Sequence, residues 1–146
     1  MNATMKKFGY PDTLIKEYSH WAVLLRPQQA TLGALVLVCK DEADALSKIS
    51  LAAFSELKEI TAAIERYLAG CFSYDKINYL MLMMIDKDVH FHVLPRYGQS
   101  RFFSQREFTD PGWPGPPDLS NANKTGEELN QLIQKTLLEA FTEQSL

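Results

Sequence analysis

The chain has 146 residues, of which 46% are hydrophobic and 23% are charged, a composition that is ordinary for globular proteins. This length predicts a single domain over residues 1–146 with a sizeable hydrophobic core. The formal net charge of −3 excludes the broad basic surface that is typical of nucleic-acid-binding proteins, so no nucleic-acid partner is expected. A local basic site for a phosphate group is compatible with this charge.

Cysteine usage and hydropathy indicate the expected environment of the protein. Cys39 and Cys71 form no CxxC motif and do not indicate a disulfide framework. The N-terminal residues contain no apolar stretch long enough for a signal peptide, and the apolar run 32–39 is far too short to span a membrane. We therefore expect a reduced, cytoplasmic protein with no membrane partner.

The first half of the chain predicts two strands and a long helix. Residues 19–25 and 34–39 are short apolar runs joined by turn-forming residues, which is typical of buried strands. Apolar residues then recur every three or four positions over 46–68, which predicts one long helix with a break near Ser50 and an end at Gly70. The acidic residues of segment 41–44 are favourable at the start of such a helix.

The second half predicts a strand pair and a final helix. Residues 77–85 and 88–95 read as antiparallel strands joined by a tight turn at residues 86–87. A long loop rich in Pro and Gly follows, and Thr125 and Glu128 match a capping box for a helix over about 125–143. Its predicted apolar stripe consists of Leu129, Leu132, Ile133, Leu137 and Phe141. These elements predict an α+β fold with helices packed on one face of a sheet.

The segment DVHFHVLPRY, residues 88–97, carries the most informative pattern. On a strand, alternation would place Asp88, His90 and His92 on one face and the apolar residues between them in the core. Three interpretations follow: a half-exposed strand whose polar side chains have no function, a metal site, or a site of nucleophilic catalysis. Two imidazoles and a carboxylate suit iron or zinc, although no second cluster of ligands completes a metal site. A neutral imidazole can also attack phosphorus and form a covalent intermediate.

This segment resembles the histidine triad (HIT) motif, in which three histidines alternate with apolar residues, and the HIT members in which PRY follows. LGALVLVCK, the long helix, KIN before the next strand and WP in the C-terminal loop also fall where HIT proteins have such elements. The resemblance covers about residues 14–117. It implies a mostly antiparallel sheet of about five strands with a long helix and a C-terminal helix, generally paired as a homodimer.

The resemblance also implies a function. HIT proteins are nucleotide hydrolases or nucleotidyl transferases whose middle histidine attacks the α-phosphate of a dinucleoside polyphosphate, a nucleoside phosphoramidate or a similar nucleotide substrate. His90 corresponds to that nucleophile and His92 to the histidine that contacts the phosphate. No metal or other cofactor is implied, apart from magnesium accompanying a polyphosphate substrate.

The chain departs from the HIT pattern at the first triad position, where Asp88 replaces a histidine. An ionised carboxylate only accepts hydrogen bonds, so Asp88 would orient an imidazole, turn toward another partner or moderate activity. A Gly-Gln-Ser/Thr phosphate-binding element is also missing. The alternative is therefore a nucleotide-binding module with attenuated or no catalysis. Asn78, Arg96 and Trp113 are the candidate substrate-binding residues.

Overall fold

The computed structural model describes residues 1–143, which contain three α-helices and seven strands. In chain order these elements are α1 Ala3–Lys7, β1 Leu14–Glu17, β2 Trp21–Leu25, β3 Leu35–Cys39, α2 Leu51–Phe72, β4 Lys76–Leu80, β5 His90–Arg96, β6 Arg101–Phe103, β7 Arg106–Phe108 and α3 Gly126–Glu143. A 3-10 turn at Leu46–Lys48 precedes α2. No helix within residues 1–143 is long and apolar enough to cross a membrane.

Five of the strands form one antiparallel sheet in the order β1-β2-β3-β5-β4. Every residue of β2 and β3 is buried, because the sheet is covered on both faces at its centre. The prediction of an α+β fold with about five antiparallel strands, a long helix and a C-terminal helix is confirmed. Strands β6 and β7 form a separate hairpin whose turn residues, Ser104 and Gln105, have positive φ values, as a tight hairpin turn requires.

The two faces of the sheet have different partners. On one face, Trp21, Val23 and Leu37 pack in the main core with the apolar stripe of α2 and with α3. On the opposite face, Ala22, Leu24, Val36 and Val38 form a smaller apolar cluster with Met5 of α1. The alternation of side chains along β2 and β3 therefore divides the residues between a helix-covered face and an α1-covered face.

Helix α2 begins and ends later than the sequence predicts. Ser50 is its N-cap, and the Ser50 hydroxyl accepts a hydrogen bond from the amide of Ala53, so the expected break near Ser50 is the true start. The acidic segment 41–44 lies outside the helix, and Asp41 instead accepts from the Ser50 amide at 2.8 Å. Gly70 does not stop α2, which continues to Phe72 because Ser73 adopts the left-handed conformation that ends it.

The predicted strand 77–85 and its tight turn are wrong. Strand β4 ends at Leu80, and β5 begins only at His90, so a nine-residue connection over 81–89 joins them. Met83 has a φ of +53°, which no strand residue adopts, and Met84 and Ile85 are each 87% exposed. The apolar composition of this segment is typical of a strand, but only Met81, Met83 and Val89 contact the main core, while Met84 and Ile85 face solvent.

Several short elements were not predicted, because each is too short for a periodic pattern. These are α1, β1 and the β6–β7 hairpin. In α3 the predicted stripe is confirmed at Leu129, Ile133, Leu137 and Phe141. Leu132 is 42% exposed and lies outside the buried stripe.

A buried ion pair ties the end of β5 to the loop that follows β7. The Arg96 guanidinium donates to both carboxylate oxygens of Asp110, at 2.7 and 3.1 Å, and the two side chains are only 4% and 0% exposed. Arg96 also donates to the Asn78 side-chain oxygen at 2.7 Å and to the Gly115 carbonyl at 2.9 Å. Removing one charge of such a pair leaves the other buried without compensation.

We therefore expect Asp110→Asn to lower the free energy of unfolding by about 3 kcal/mol, measured by chemical denaturation. The matched control is Asp44→Asn, because Asp44 pairs with Lys48 on the surface, with side chains 62% and 64% exposed. That control should leave stability unchanged within error. Equal effects of the two substitutions would contradict the assignment of Arg96–Asp110 as a structural ion pair.

Candidate active site

Strand β5 places both histidines on the α1-covered face of the sheet. His90 pairs with Val38 and His92 with Val36 across β3, both members of the cluster under α1. Val93 and Phe91 pack on the opposite, helix-covered face. The predicted alternation of β5 is therefore confirmed for the histidines.

His90 is held in one tautomer by its own chain. Its Nδ1 lies 2.7 Å from the carbonyl oxygen of Asp88. A carbonyl only accepts hydrogen bonds, so Nδ1 carries the proton. In the neutral ring, Nε2 then retains its lone pair, which is the arrangement that a nucleophilic or basic imidazole needs.

His92 lies beside His90 as a neutral imidazole. The two ring centroids are 5.2 Å apart and the rings are nearly perpendicular. Nδ1 of His92 is buried and has no hydrogen-bond partner. Burial, followed by the positive charge of Arg26 and the proximity of His90, lowers the pKa of His92 to about 4. At neutral pH, His92 can therefore offer or accept a hydrogen bond without carrying charge.

Asp88 does not lie on strand β5 with the histidines, which corrects the prediction that one strand carries all three residues, although its carboxylate bonds to α1 on the same side of the sheet. Asp88 precedes β5, and its carboxylate accepts hydrogen bonds from the amide and the hydroxyl of Thr4, at 3.2 and 2.8 Å. Its backbone carbonyl, rather than its carboxylate, orients His90. A catalytic role for the Asp88 side chain stays a prediction.

Helix α1 covers the two histidines. The ring of Phe8 lies 5.7 Å from that of His92 and 6.3 Å from that of His90, measured between centroids. The side chains of Asn2 and Lys7 attach the same segment to the Cys39 carbonyl and to Asp86, at 2.9 and 2.8 Å. Beneath this cover His90 is only 2% exposed and His92 only 7%.

Two of the three candidate substrate-binding residues lie beyond His92 along the chain, whereas Asn78 lies two residues along β4 from Leu80, the partner of His92. Asn78 faces Leu94 across β4 and β5, and it accepts from Arg96. Arg96 lies four residues beyond His92, which is about 13 Å along a strand, and it is engaged by Asp110 and Gly115. Trp113 lies against Gly98, beyond the end of β5. Their assignment to substrate stays a prediction.

Arg26 is the residue of this face that we did not predict from the sequence. It follows β2, and the alternation Ala22, Leu24, Arg26 places it on the α1-covered face with the histidines. It is 9% exposed, and its charge contributes to the lowered pKa of His92. In the sequence, the one indication of this residue is that an arginine directly follows an apolar strand. Its position in the alternation of that strand places it on the same face as the histidines.

The metal interpretation finds no support in the arrangement of ligands. Within residues 1–143, no group of three or more His, Cys, Asp or Glu side chains is placed to hold a metal ion. The predicted carboxylate ligand is turned toward Thr4.

Protonation of His92 should couple stability to pH. The folded state holds the His92 pKa at about 4, whereas the unfolded chain has the ordinary value of 6.5, so unfolding takes up a proton between these values. Stability is therefore lost as the pH falls through this window. From pH 7 to pH 5 we expect the wild type to lose about 2 kcal/mol more unfolding free energy than His92→Gln, measured by denaturant titration at each pH. Parallel losses would contradict the buried, neutral state of His92.

The Asp88–Thr4 contact should hold α1 on the sheet. Thr4→Val removes the hydroxyl donor but keeps the volume and the backbone amide, so we expect faster hydrogen exchange at the Phe8 amide, by about tenfold. Thr61→Val is the matched control, because the Thr61 hydroxyl bonds only to its own helix at the surface. Unchanged exchange in Thr4→Val would show that α1 does not depend on Asp88.

Comparison with solved structures identifies the fold. A histidine triad protein from Sinorhizobium meliloti 1021 matches with a TM-score of 0.75 and 20% identity, covering 96% of this chain and 95% of that chain. A histidine triad protein from Marinobacter aquaeolei VT8 matches with a TM-score of 0.75 and 19% identity, covering 98% and 96%.

A third match is a hypothetical histidine triad nucleotide-binding protein from Sulfolobus tokodaii strain 7, with a TM-score of 0.67 and 15% identity, covering 90% of this chain and 84% of that chain. No protein-family model and no curated protein matches the sequence. At these identities the likeness concerns the backbone architecture, and the chain therefore has the fold of histidine triad proteins.

Proposed function

We propose that this protein is a nucleotide hydrolase or nucleotidyl transferase that acts at an α-phosphate through a covalent nucleotidyl-His90 intermediate. The observation that carries this proposal is the hydrogen bond from Nδ1 of His90 to the Asp88 carbonyl, at 2.7 Å. This bond assigns the proton to Nδ1 and leaves the Nε2 lone pair for attack. The substrate class is a dinucleoside polyphosphate or a nucleoside phosphoramidate.

The first step transfers the nucleotidyl group to the protein. The lone pair of Nε2 forms a bond to the α-phosphorus, and the bond from phosphorus to the leaving group breaks with its electron pair on that group. The His90 ring, now carrying the nucleotidyl group at Nε2 and a proton at Nδ1, is cationic. The Asp88 carbonyl, which accepts from Nδ1, stabilises that charge.

The second step regenerates His90. A water molecule or another acceptor attacks the same phosphorus, the bond to Nε2 breaks, and its electron pair returns to the imidazole. The product with water is the nucleoside monophosphate, and the proton of the attacking water leaves to solvent. His92, neutral at pH 7 and lacking a partner at Nδ1, supplies the hydrogen bond to a phosphate oxygen in both steps.

The fold is consistent with this chemistry, and the Sulfolobus tokodaii protein of the same fold is described as nucleotide-binding. Within the proposal, Asn78 and Arg96 support the far end of β5, and Trp113 is retained as a candidate contact for the rest of the substrate. A homodimer and a cytoplasmic location remain part of the proposal.

A nucleotide-binding module with little or no catalysis is the second candidate. The observation that favours it is the burial of both histidines under Phe8, with exposures of only 2% and 7%. In this state the ring of Phe8 lies over both histidines. Nucleotide binding with no turnover of any phosphoanhydride or phosphoramidate would support this candidate.

The deciding experiment measures AMP release from adenosine phosphoramidate and from a diadenosine polyphosphate, with and without EDTA. We expect release by the wild type, a loss of at least about a thousandfold in His90→Ala, and activity that survives EDTA with the phosphoramidate. His20→Ala is the matched control, because His20 contacts Asp41 and not the histidine pair.

Two results would contradict the enzyme proposal. Full activity in His90→Ala would exclude the covalent mechanism. No release by the wild type, together with calorimetric binding of AMP, would assign the protein to the binding-module class.

A further inference from the structure

Arg26 is held at a defined position on the histidine face. Its amide donates to the Ala34 carbonyl at 2.9 Å and so extends the β2–β3 pairing by one residue. The Gln29 side-chain amide donates to the carbonyls of Arg26 and Ala34, at 2.7 and 3.0 Å, while its oxygen accepts from the Gly33 amide. These hydrogen bonds within the loop after β2 therefore fix the backbone of Arg26.

The position of Arg26 relative to His92 follows from the strand register. Leu24 pairs with Val36, and Val36 pairs with His92, so these three residues form one row across the sheet. Arg26 lies two residues beyond Leu24, directly after the end of β2. Two strand spacings across and two residues along give a Cα separation of about 12 Å between Arg26 and His92. The Arg26 charge contributes to the lowered pKa of His92 across this separation.

The Arg26 guanidinium is buried without a counter-ion. Nη1 donates to the Gln28 carbonyl at 2.6 Å, but Nε is buried and has no partner. Among residues 1–143, no carboxylate forms an ion pair with Arg26, whose residue exposure is 9%. Arg96, by contrast, is buried with Asp110 as its counter-ion. A buried cation without an anion is costly, and a bound anion is the group that would compensate it.

The surroundings of Arg26 suit a phosphate chain rather than a sugar or a base. The positive charge of Arg26 contributes to the lowered pKa of His92. At pH 7, His92 is therefore neutral, and it also lacks a hydrogen-bond partner at Nδ1. A guanidinium with free N–H groups and a free imidazole nitrogen therefore lie on the same face as the nucleophile. Guanidinium groups match phosphate oxygens with paired hydrogen bonds.

We infer that Arg26 binds the phosphate next to the one that His90 attacks, so that the preferred substrate is a polyphosphate rather than a phosphoramidate. This inference rests on the proposed function. When the phosphoanhydride bond breaks, its bridging oxygen keeps the electron pair and becomes a terminal oxygen of the leaving phosphate. The negative charge on that phosphate rises in the transition state, and Arg26 stabilises it. An amine leaving group, which takes a proton from solvent as the P–N bond breaks, carries no such charge.

The test compares two substrates in two arginine variants. In Arg26→Gln we expect kcat/KM for a diadenosine polyphosphate to fall by about a hundredfold, with a change below about fivefold for adenosine phosphoramidate. Arg26→Lys should recover only part of the loss, because an ammonium group does not reproduce the paired hydrogen bonds. Arg66→Gln is the matched control, because Arg66 is exposed on α2.

A binding measurement on the wild-type protein keeps the inference testable when a variant does not fold. The NMR signal of the Arg26 Nε–H group, assigned by its loss in Arg26→Lys, should shift on addition of inorganic pyrophosphate and stay unchanged on addition of adenosine. If both variants are unfolded, the arginine signal closest to the histidine ring protons in space gives the assignment.

The outcomes separate this inference from the proposed function. A pyrophosphate-dependent shift without any turnover supports the Arg26 site and contradicts the enzyme. If turnover depends on His90 but Arg26→Gln lowers kcat/KM equally for both substrates, the inference is wrong and the proposed enzymatic function is retained. An Arg26 signal that does not respond to pyrophosphate also overturns it.

Discussion

Burial of the central sheet on both faces is the constraint on which the rest of the structure depends. Strands β2 and β3 are wholly buried, so any polar side chain placed among them loses water and must gain a partner from the protein or from a ligand. His90 gains one from the Asp88 carbonyl. His92 and Arg26 each keep a buried nitrogen without a hydrogen-bond partner in the protein.

The alternation of β5 could be predicted because it depends on local geometry alone. Successive side chains on a strand point to opposite faces. This alternation alone places His90 and His92 on one face and the intervening apolar residues on the other. The long helix and the C-terminal helix were predictable for the same reason, since an apolar stripe over several turns requires a core to receive it. The two short apolar runs that became β2 and β3 were also predicted correctly, because a wholly buried strand needs no alternation.

Features that depend on a single residue or on distant segments could not be predicted in this way. The segment 81–89 has a strand-like composition, but it forms an irregular connection in which Met84 and Ile85 are exposed and Val89 is buried in the main core. The partner of Asp88 is Thr4, 84 residues away, and no local pattern links them. The importance of Arg26 emerges only once the fold places it on the same face as the histidines and leaves it without a carboxylate partner.

The Asp88–Thr4 contact also has an evolutionary consequence. A histidine at position 88 could not accept two hydrogen bonds from Thr4 as the carboxylate does. The residue at position 88 and the N-terminal segment are thus expected to change together, as one inherited unit, although they are far apart in the chain. A different side chain at position 88 would then change how His90 is covered, and it would leave the orientation of His90, which uses only the backbone carbonyl, untouched.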